Sequence, residues 1–391
     1  MSVLRRIWIE LSETLLRVLP FPCKTGLVRI GSPTKDSPVL LTGNFRLTVE
    51  RVRRQLRGMD VYLLVANSRG VNVWCAATGG LLSDHDAIAV LKTSGIEQLV
   101  DHRQVILPQL AATGIDASAV QKKTGWNVVW GPVQAAAIPA FLRGGLAKTT
   151  EMRQVRFPWA QRLEIAIAWA FPISLVASLL VAPFWWEGVL PLVGVVWGLS
   201  LALFLSLPLC DPLLRPTGKD IGLVFFNFGD RGVAVLLWIV FVLAFAACGL
   251  LAGRFAWDQL LRWSAVSLVV ILVLSIDLAG STPIYKSGLH RDRWFRITLD
   301  EDLCEGAGTC IDVCPTDVLE LDHEQRLARV VRGDQCVRCG ACIVQCPVDA
   351  LYLEHPSGEV VTPATVRRFK LNLLGTRSVD LGRSKRESLP E

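Results

Sequence analysis

Hydrophobic positions fall into three regimes along the chain. Between residues 38 and 146, short β-rich runs alternate with stretches of helical spacing. Pro38–Thr42, Val61–Ala66, Val71–Trp74, Val105–Leu107 and Asn127–Trp130 read as strands, while Val49–Leu56, Asp86–Leu91 and Val133–Leu142 read as helices. Strands separated by helices imply a mostly parallel sheet, whose ligands bind beyond the carboxyl ends of the strands. Neither GxGxxG nor GxxxxGK[ST] occurs, so a nucleotide fingerprint is lacking.

The second regime is almost purely apolar. Val233–Ala252 runs 20 residues without a charge, enough to cross a bilayer as a helix. Further spans are read near 163–182, with Pro172 expected to kink it, near 188–209, and near 257–279, where only Ser264–Ile276 is free of charge. Trp159, Trp185, Trp186, Trp257 and Trp263 fall near the span ends, as an aromatic belt requires. Ahead of these regimes, Met1–Pro22 is interrupted by Arg5, Arg6, Glu10, Glu13 and Arg17, which rules out a secretory signal. An amphipathic helix on the membrane or on the first domain, or an ordinary surface helix, fits that pattern.

Composition sharpens this division. Of 391 residues, 51% are hydrophobic and 19% charged, and the apolar excess is confined to residues 163–279. The net charge of +6 gathers beside the apolar stretches and in the last 35 residues, which suits an anionic leaflet; no basic stripe interleaved with aromatics suggests nucleic acid. Arg153, Arg156 and Arg162 precede the first span. Arg215, Lys219 and Arg231 fill the second connection, and Lys286, Arg291 and Arg293 follow the last. The positive-inside rule then puts both soluble regions in the cytoplasm of a multi-pass inner-membrane protein, as an even number of spans requires. The spans contain no His, so a bis-histidine haem has no ligands there.

The third regime carries the cysteines. Seven of the eleven lie between Cys304 and Cys346, a clustering that points to metal in a reducing compartment and away from disulfides. CVRCGACIVQCP at 336–347 is a complete C-x2-C-x2-C-x3-C-P run, as in bacterial two-cluster ferredoxins, where the fourth Cys serves the other cluster. CEGAGTCIDVCP at 304–315 is its sister, and CPTDVLEL repeats as CPVDALYL. Crosswise ligation assigns Cys336, Cys339, Cys342 and Cys314 to one [4Fe-4S] cluster. It leaves Cys304, Cys310 and Cys346 for the second, with Ala307 where a ligand belongs. That site is expected to hold a [3Fe-4S] cluster, or an incompletely ligated [4Fe-4S] cluster with water or another residue as fourth ligand, Asp302 and Asp312 being candidates. Zinc sites close with four ligands in two pairs and do not use this run.

Cys75 follows a predicted strand in NVWCAA, where a helix start would favour its thiolate. A buried core cysteine is the plainer alternative. NVWCAA resembles the cap-helix motif of the corrinoid protein of microbial mercury methylation. VLLTGNFRLT (39–48), HRQVILPQL (102–110), NVVWGPVQAAAIPAFL (127–142) and AGSTPIYKSGLH (279–290) are similar to the same family. The family carries a membrane domain, and its partner is a separate two-cluster ferredoxin, so this chain looks like both fused.

The resemblance implies a cobalamin-type corrinoid whose cobalt is bound by the Cys75 thiolate as the catalytic ligand. Asn72, Trp74 and Ala76 would shape the cap, and Thr42, Trp130 and Gly131 would lie on loops facing the corrinoid. Asn72 as a simple helix cap and Trp74 as core are the alternatives. The DxHxxG pattern of histidine-on cobalamin proteins is absent, in keeping with thiolate ligation. An anionic thiolate would favour departure of methyl as a carbanion equivalent toward a soft electrophile such as Hg(II), and the clusters would return cobalt to Co(I). The chain departs from the family in having Thr78-Gly79-Gly80 after the Ala pair, in Ala307, and in lacking any Cys after Cys346.

The expected fold class is multidomain. An amphipathic N-terminal segment (1–37) precedes an α/β corrinoid-binding domain (38–150). An all-α transmembrane bundle of about four helices (160–280), an α+β bacterial two-cluster ferredoxin (295–356) and a basic tail (357–391) follow. The expected function is a membrane corrinoid-dependent methyltransferase acting on a soft metal or metalloid. It would be supplied by a methyl-donor protein or methyl-folate-type donor and by an upstream electron donor. A membrane-anchored electron-transfer ferredoxin without methyl transfer is the rival, and a structural anchor the third reading. The topology is testable: reporter fusions after residue 150 and after residue 355 are both expected to report cytoplasm, and a periplasmic signal from either would remove the four-span reading.

Overall fold

The structure is a computed structural model, described for residues 3–17, 19–210, 222–223, 226–227, 233–274 and 295–368. It divides into two compact units: one formed by Met1–Leu19 with Arg156–Arg293, the other by Pro20–Val155 with Trp294–Glu391.

The first unit is helical. α1 (Val3–Leu15) packs against the long apolar helix of residues 159–181, with Arg17 and Glu164 paired at 3.6 Å. The expected N-terminal helix therefore belongs with the apolar helices of its own unit. Ile9 and Glu13 are turned inward, while Leu4, Ile7, Trp8 and Leu11 stay exposed.

The second unit begins with a five-stranded sheet in the order β1-β3-β2-β4-β5. β1 (Gly26–Ile30) runs antiparallel beside β3 (Val61–Ala66). β2 (Val39–Gly43), β3, β4 (Gln104–Pro108) and β5 (Asn127–Gly131) are parallel. The sheet thus takes in β1, which lies inside the stretch read from sequence as the N-terminal segment. β2 and β3 are buried along their whole length, as strands covered on both faces must be. α2 (Arg46–Gln55) covers one face with Val49, Val52 and Leu56. α3 (Val73–Thr78), α4 (Asp84–Thr93) and α5 (Ala117–Thr124) contribute to the core that holds Leu64, Leu107 and Trp126. Strand order reverses between β2 and β4, so the crevice beyond their carboxyl ends is where an open sheet binds ligands.

Two local readings from sequence are corrected. Val71–Trp74 is not a strand: α3 starts at Val73, because the Asn72 side chain caps it and Val73, Trp74, Ala76 and Ala77 bury their side chains. β-branched propensity loses to a cap and tertiary burial. Val133–Leu142 is not one helix but a 3-10 turn at Ala135–Ala137 followed by α6 (Ile138–Arg143), with Pro139 in its first turn. The short helix α7 (Thr150–Arg153) leads out of this region.

Among the described residues, three helices are long and apolar enough to cross a membrane: Trp159–Val181, Trp186–Ser206 and Trp257–Leu274. They correspond to α8 (Trp159–Val181), α9 (Val189–Cys210) and α11 (Trp257–Leu274). A further apolar stretch, Leu236–Leu251 within α10 (Val233–Leu251), is shorter. Two-residue strands β6 (Gly222–Leu223) and β7 (Phe226–Asn227) pair between α9 and α10. α8 continues through Pro172. Ala166, Val196, Phe204 and Ile271 form the inner core, and Leu179, Leu180, Leu190 and Leu243 face outward. Such a large exposed apolar surface marks a membrane or protein interface. AGSTPIYKSGLH and most of the basic residues used for orientation lie outside the described residues.

The remainder of the second unit is small. β8 (Arg296–Leu299) pairs with β11 (Leu351–Glu354), which also pairs with β12 (Val360–Val361). β9 (Leu319–Asp322) pairs with β10 (Leu327–Val330). The short helices α12 (Thr309–Asp312) and α13 (Ala341–Gln345) follow the two cysteine loops, and α14 (Pro363–Arg368) packs on α13.

Asn44, just after β2, ties the sheet to the loop ahead of α3. Its Oδ1 accepts from Ser68 N (2.9 Å), Ser68 Oγ (3.1 Å) and Gly70 N (2.9 Å), and its Nδ2 donates to Cys23 O (3.2 Å). Gly70 adopts φ 72°, and a Cβ there would meet Pro22. Asn44→Ala strands several buried donors at once and is expected to lower unfolding stability by about 2 kcal/mol, measured by anaerobic urea denaturation of the holoprotein.

Candidate functional site

The carboxyl edge of the sheet gathers the residues singled out for the first site. Thr42 is the penultimate residue of β2, and Trp130 and Gly131 end β5. All three belong to strands, not to loops as expected, because the parallel ladder runs to these last residues. A Cβ on Gly131 would lie 3.0 Å from Ile106 Cγ2 and 3.3 Å from Leu107 O, so the backbone packs closely there.

α3 presents Cys75 from this edge. Asn72 N-caps the helix, with Cys75 N donating to Asn72 Oδ1 at 3.1 Å. The same carboxamide turns its Nδ2 toward Cys75 Sγ at 3.3 Å, donating to the sulfur. One residue therefore fixes the helix start and orients the Cys75 sulfur through a second hydrogen bond. Cys75 is half-buried, whereas Val73, Trp74, Ala76, Ala77 and Thr78 are buried. Thr78, at a position where the family resemblance leads one to expect Gly, donates its hydroxyl to Trp74 O at 2.8 Å. Thr42 Oγ1 and Trp74 Nε1 are buried without a hydrogen-bond partner. Buried polar atoms are nearly always satisfied, so two orphans on strand-edge elements call for a ligand that supplies partners.

The cysteine module builds two further cavities. Cys314, Cys336, Cys339 and Cys342 line one, with Ile297, Val318 and Leu353 as its apolar wall. Cys304, Cys310 and Cys346 line the other, together with Ala307 and Glu305. The structure thus brings the sequence-derived sets together crosswise. Among the described residues no three Cys, His, Asp or Glu side chains converge on one ion. Cysteines spread around a volume suit a cluster better than a single metal.

The repeat has a backbone signature. Asp317 and Asp349, both in the CPxD turns, have φ of 49° and 60°, and Gly308 and Gly340 have 72° and 76°. These turns aim N–H groups at sulfur: Val318 N donates to Cys314 Sγ and Ala350 N to Cys346 Sγ, both at 3.3 Å. Arg338 N and Ala328 N do the same for Cys336 (3.4 Å) and Cys304 (3.5 Å). Burial pushes the Cys310 and Cys339 thiols up to about 12, and neighbouring cysteines push in the same direction. Cys336 and Cys342 are raised for the same first reason.

The structure also separates candidates for the missing ligand. Neither Asp302 nor Asp312 lines the second cavity. Asp312 is drawn off by Lys148, whose Nζ lies 2.9 Å from Asp312 Oδ1. Glu305, not singled out from sequence, is the carboxylate on that wall, and its adjacency to Cys304 was the available signal. Arg367, assigned to a free basic tail, is instead buried and paired with Asp349 and Asp116. Residues 369–391 of that tail lie outside the described residues.

The geometry defines a class first: an α/β domain with a cysteine-bearing cap at its strand edge, packed in one unit with a two-site cysteine module. Comparison with known proteins then gives each part a relative. Residues 17–142 match the family model described as CO dehydrogenase/acetyl-CoA synthase delta subunit, and residues 296–350 match a 4Fe-4S dicluster domain. The acetyl-CoA decarbonylase/synthase complex subunit gamma of Methanopyrus kandleri is 35% identical over 135 residues, covering 34% of this chain and 29% of the relative. That of Archaeoglobus fulgidus is 34% identical over 125 residues, covering 32% and 26%. The corrinoid/iron-sulfur protein large subunit of Moorella thermoacetica is 30% identical over 131 residues, covering 33% and 29%. The chain spans less than a third of the length of these curated relatives.

The cluster site lacking a fourth cysteine makes its own prediction. After mild oxidation, the wild-type protein is expected to show a three-iron EPR signal beside a four-iron cluster, and Ala307→Cys to convert it into a second four-iron cluster. Two complete four-iron clusters in wild type, one of them lost in Glu305→Gln, would instead make Glu305 the ligand.

Proposed function

We propose that this chain is a membrane-bound corrinoid-dependent methyltransferase that carries its own electron donor. The observation that carries the reading is the half-buried Cys75 thiol, held by Asn72 at the strand edge near two buried, unsatisfied polar atoms. The residues fit a corrinoid. Cys75 offers a soft anionic ligand for cobalt, while Thr42 and Trp74 offer hydrogen-bond donors to a polar ring periphery. The relatives' names supply independent support, since one of them is a corrinoid/iron-sulfur protein.

When bound, the corrinoid supplies a cobalt centre able to carry a methyl group. The rest falls to the chain. Asn72 caps α3 and holds the Cys75 sulfur aimed. Trp74, Ala76 and Ala77 close the helix against the core and exclude water beneath the ring. The cysteines of the module would hold iron–sulfur clusters, and these would supply electrons to the bound group. A methyl-donor protein or a methyl-folate-type donor recharges the system, and a low-potential protein feeds the clusters.

For the acceptor we infer a soft metal or metalloid, Hg(II) by the family resemblance. Thiol-held Hg(II) moves by exchange between free cysteines. Residues 347–391 contain no cysteine, so that stretch offers no thiol for such exchange, and an arsenic or selenium oxyacid is the alternative acceptor.

The test is one anaerobic preparation. Purified protein is expected to carry about one corrinoid per chain, read as cobalt beside iron and sulfide. Cys75→Ala is expected to shift the visible spectrum of the bound corrinoid and abolish methyl transfer, while Cys23→Ala and Cys248→Ala leave both intact. Methylated product is then measured with Hg(II), arsenite and selenite offered separately. Absence of corrinoid, or an unchanged spectrum in Cys75→Ala, would replace this reading with a membrane-anchored electron-transfer ferredoxin.

A further inference from the structure

The two cluster sites are not equivalent in their contacts with the α/β domain. Cys339, a ligand of the four-cysteine site, packs against the same core that contains Ala76, Ala111 and Ala112, and Val313 and Ala341 lie in that core as well. Gln109, fully buried in the 3-10 turn Gln109–Thr113 after β4, donates from Nε2 to the carbonyl of Cys314 at 3.3 Å. Its Oε1 accepts from Lys148 Nζ at 3.2 Å, and Lys148 also donates to Asp312 O at 2.8 Å. The other side of that turn rests on α3. Gly114 makes this approach close: a Cβ there would fall 2.7 Å from Ala77 Cα. One short turn thus separates the helix bearing Cys75 from ligands of the four-cysteine site.

The three-cysteine site meets the same turn only at one remove, beside its ligand Cys346. None of the residues lining its cavity belongs to that core. It is reached through neighbours of ligands: Gln345 Nε2 donates to Ala112 O (2.8 Å) and Ile115 O (2.6 Å), and Arg367 bridges Cys346 O to Asp116.

The geometry points to the cluster held by Cys314, Cys336, Cys339 and Cys342 as the electron-exit cluster, the one that reduces the cofactor on Cys75 through the turn Gln109–Thr113. This inference rests on the corrinoid reading above. One electron moves per event. The cluster passes from its reduced to its oxidised state as cobalt goes from Co(II) to Co(I); the Cys75 sulfur leaves cobalt with its own electron pair, no proton is transferred, and a low-potential one-electron donor protein re-reduces the cluster.

The experiment uses the full chain, loaded anaerobically with hydroxocobalamin and poised with titanium(III) citrate so that the clusters are reduced and cobalt remains Co(II). Dipolar relaxation falls steeply with distance, so the electron spin of the nearer cluster relaxes faster when Co(II) is present. The expected result is several-fold faster relaxation of the four-iron signal on cobalamin loading, with the three-iron signal, read at a poise where that cluster is oxidised and cobalt is already Co(II), little changed. A second measurement follows cobalt reduction after flash photoreduction. Gln109→Leu is expected to slow it several-fold at unchanged cobalamin content and unchanged cluster EPR. Faster relaxation of the three-cysteine cluster instead, with cobalamin bound, overturns this inference alone. Failure to take up cobalamin overturns the methyltransferase reading, and this inference falls with it.

Discussion

The close approach of α3 to the turn after β4 is the contact on which the second unit depends. A glycine at 114 lets backbone meet backbone beside Ala77, and Leu81 N and Leu82 N both donate to Ala76 O to bend the chain back immediately after the helix. Had Gly114 a side chain, the turn would stand off from α3. The core residues Ala76, Ala111 and Ala112, all fully buried, would then lose their partners. The small residues are where two elements must touch. The same turn sends Gln109 the other way, into the cysteine module. One short segment therefore sets both the position of Cys75 relative to the sheet and the seat of the module on the domain.

Asn44 and Asn72 extend that constraint to the loop between β3 and α3. Each uses one carboxamide for several tasks: Asn44 satisfies three donors on residues 68–70, and Asn72 caps the helix while touching its functional sulfur. A carboxamide can accept and donate in one plane, which a carboxylate or hydroxyl cannot do in the same shape. Buried polar networks of this kind specify a single arrangement, since losing one member strands the others.

Much of this was legible in the sequence, for identifiable reasons. Parallel strands buried on both faces read as continuous apolar runs, so β2 and β3 stood out. The cysteine runs were legible because spacing alone dictates how a loop wraps a cluster, and the duplicated CPxD turns made the pairing of the two runs visible. The edge strand β1 was missed because one antiparallel strand at a sheet edge carries a weak alternation. α3 was misread because Val71, Val73 and Trp74 favour strand locally, and only the cap and burial decide for helix. Gln109, Lys148 and Gln345 carried no signal at all. They act across separations of roughly 40 to 230 residues, where no periodicity or motif reports contact. Unsatisfied atoms such as Thr42 Oγ1 are likewise a property of packing, not of sequence.

If the proposed function holds, joining donor and acceptor in one chain would change what limits electron delivery. Separate proteins must find and release each other, and steering charges at an exposed interface give way to salt. Here the seat is made of buried groups. Gln109 and Gln345 are almost wholly enclosed, the Lys148 side chain is 4% exposed, and Arg367 sits between two carboxylates. Burial pushes Lys148 below the usual lysine range even though Asp312 pulls it back up, the mark of a cation held inside by packing rather than by surface attraction. Buried pairs contribute little net stability but are costly to separate, because each partner left behind is an uncompensated charge. A seat of that kind resists opening between turnovers. On the proposed reading, electron delivery to a corrinoid at Cys75 would be set by the fixed distance across the turn Gln109–Thr113.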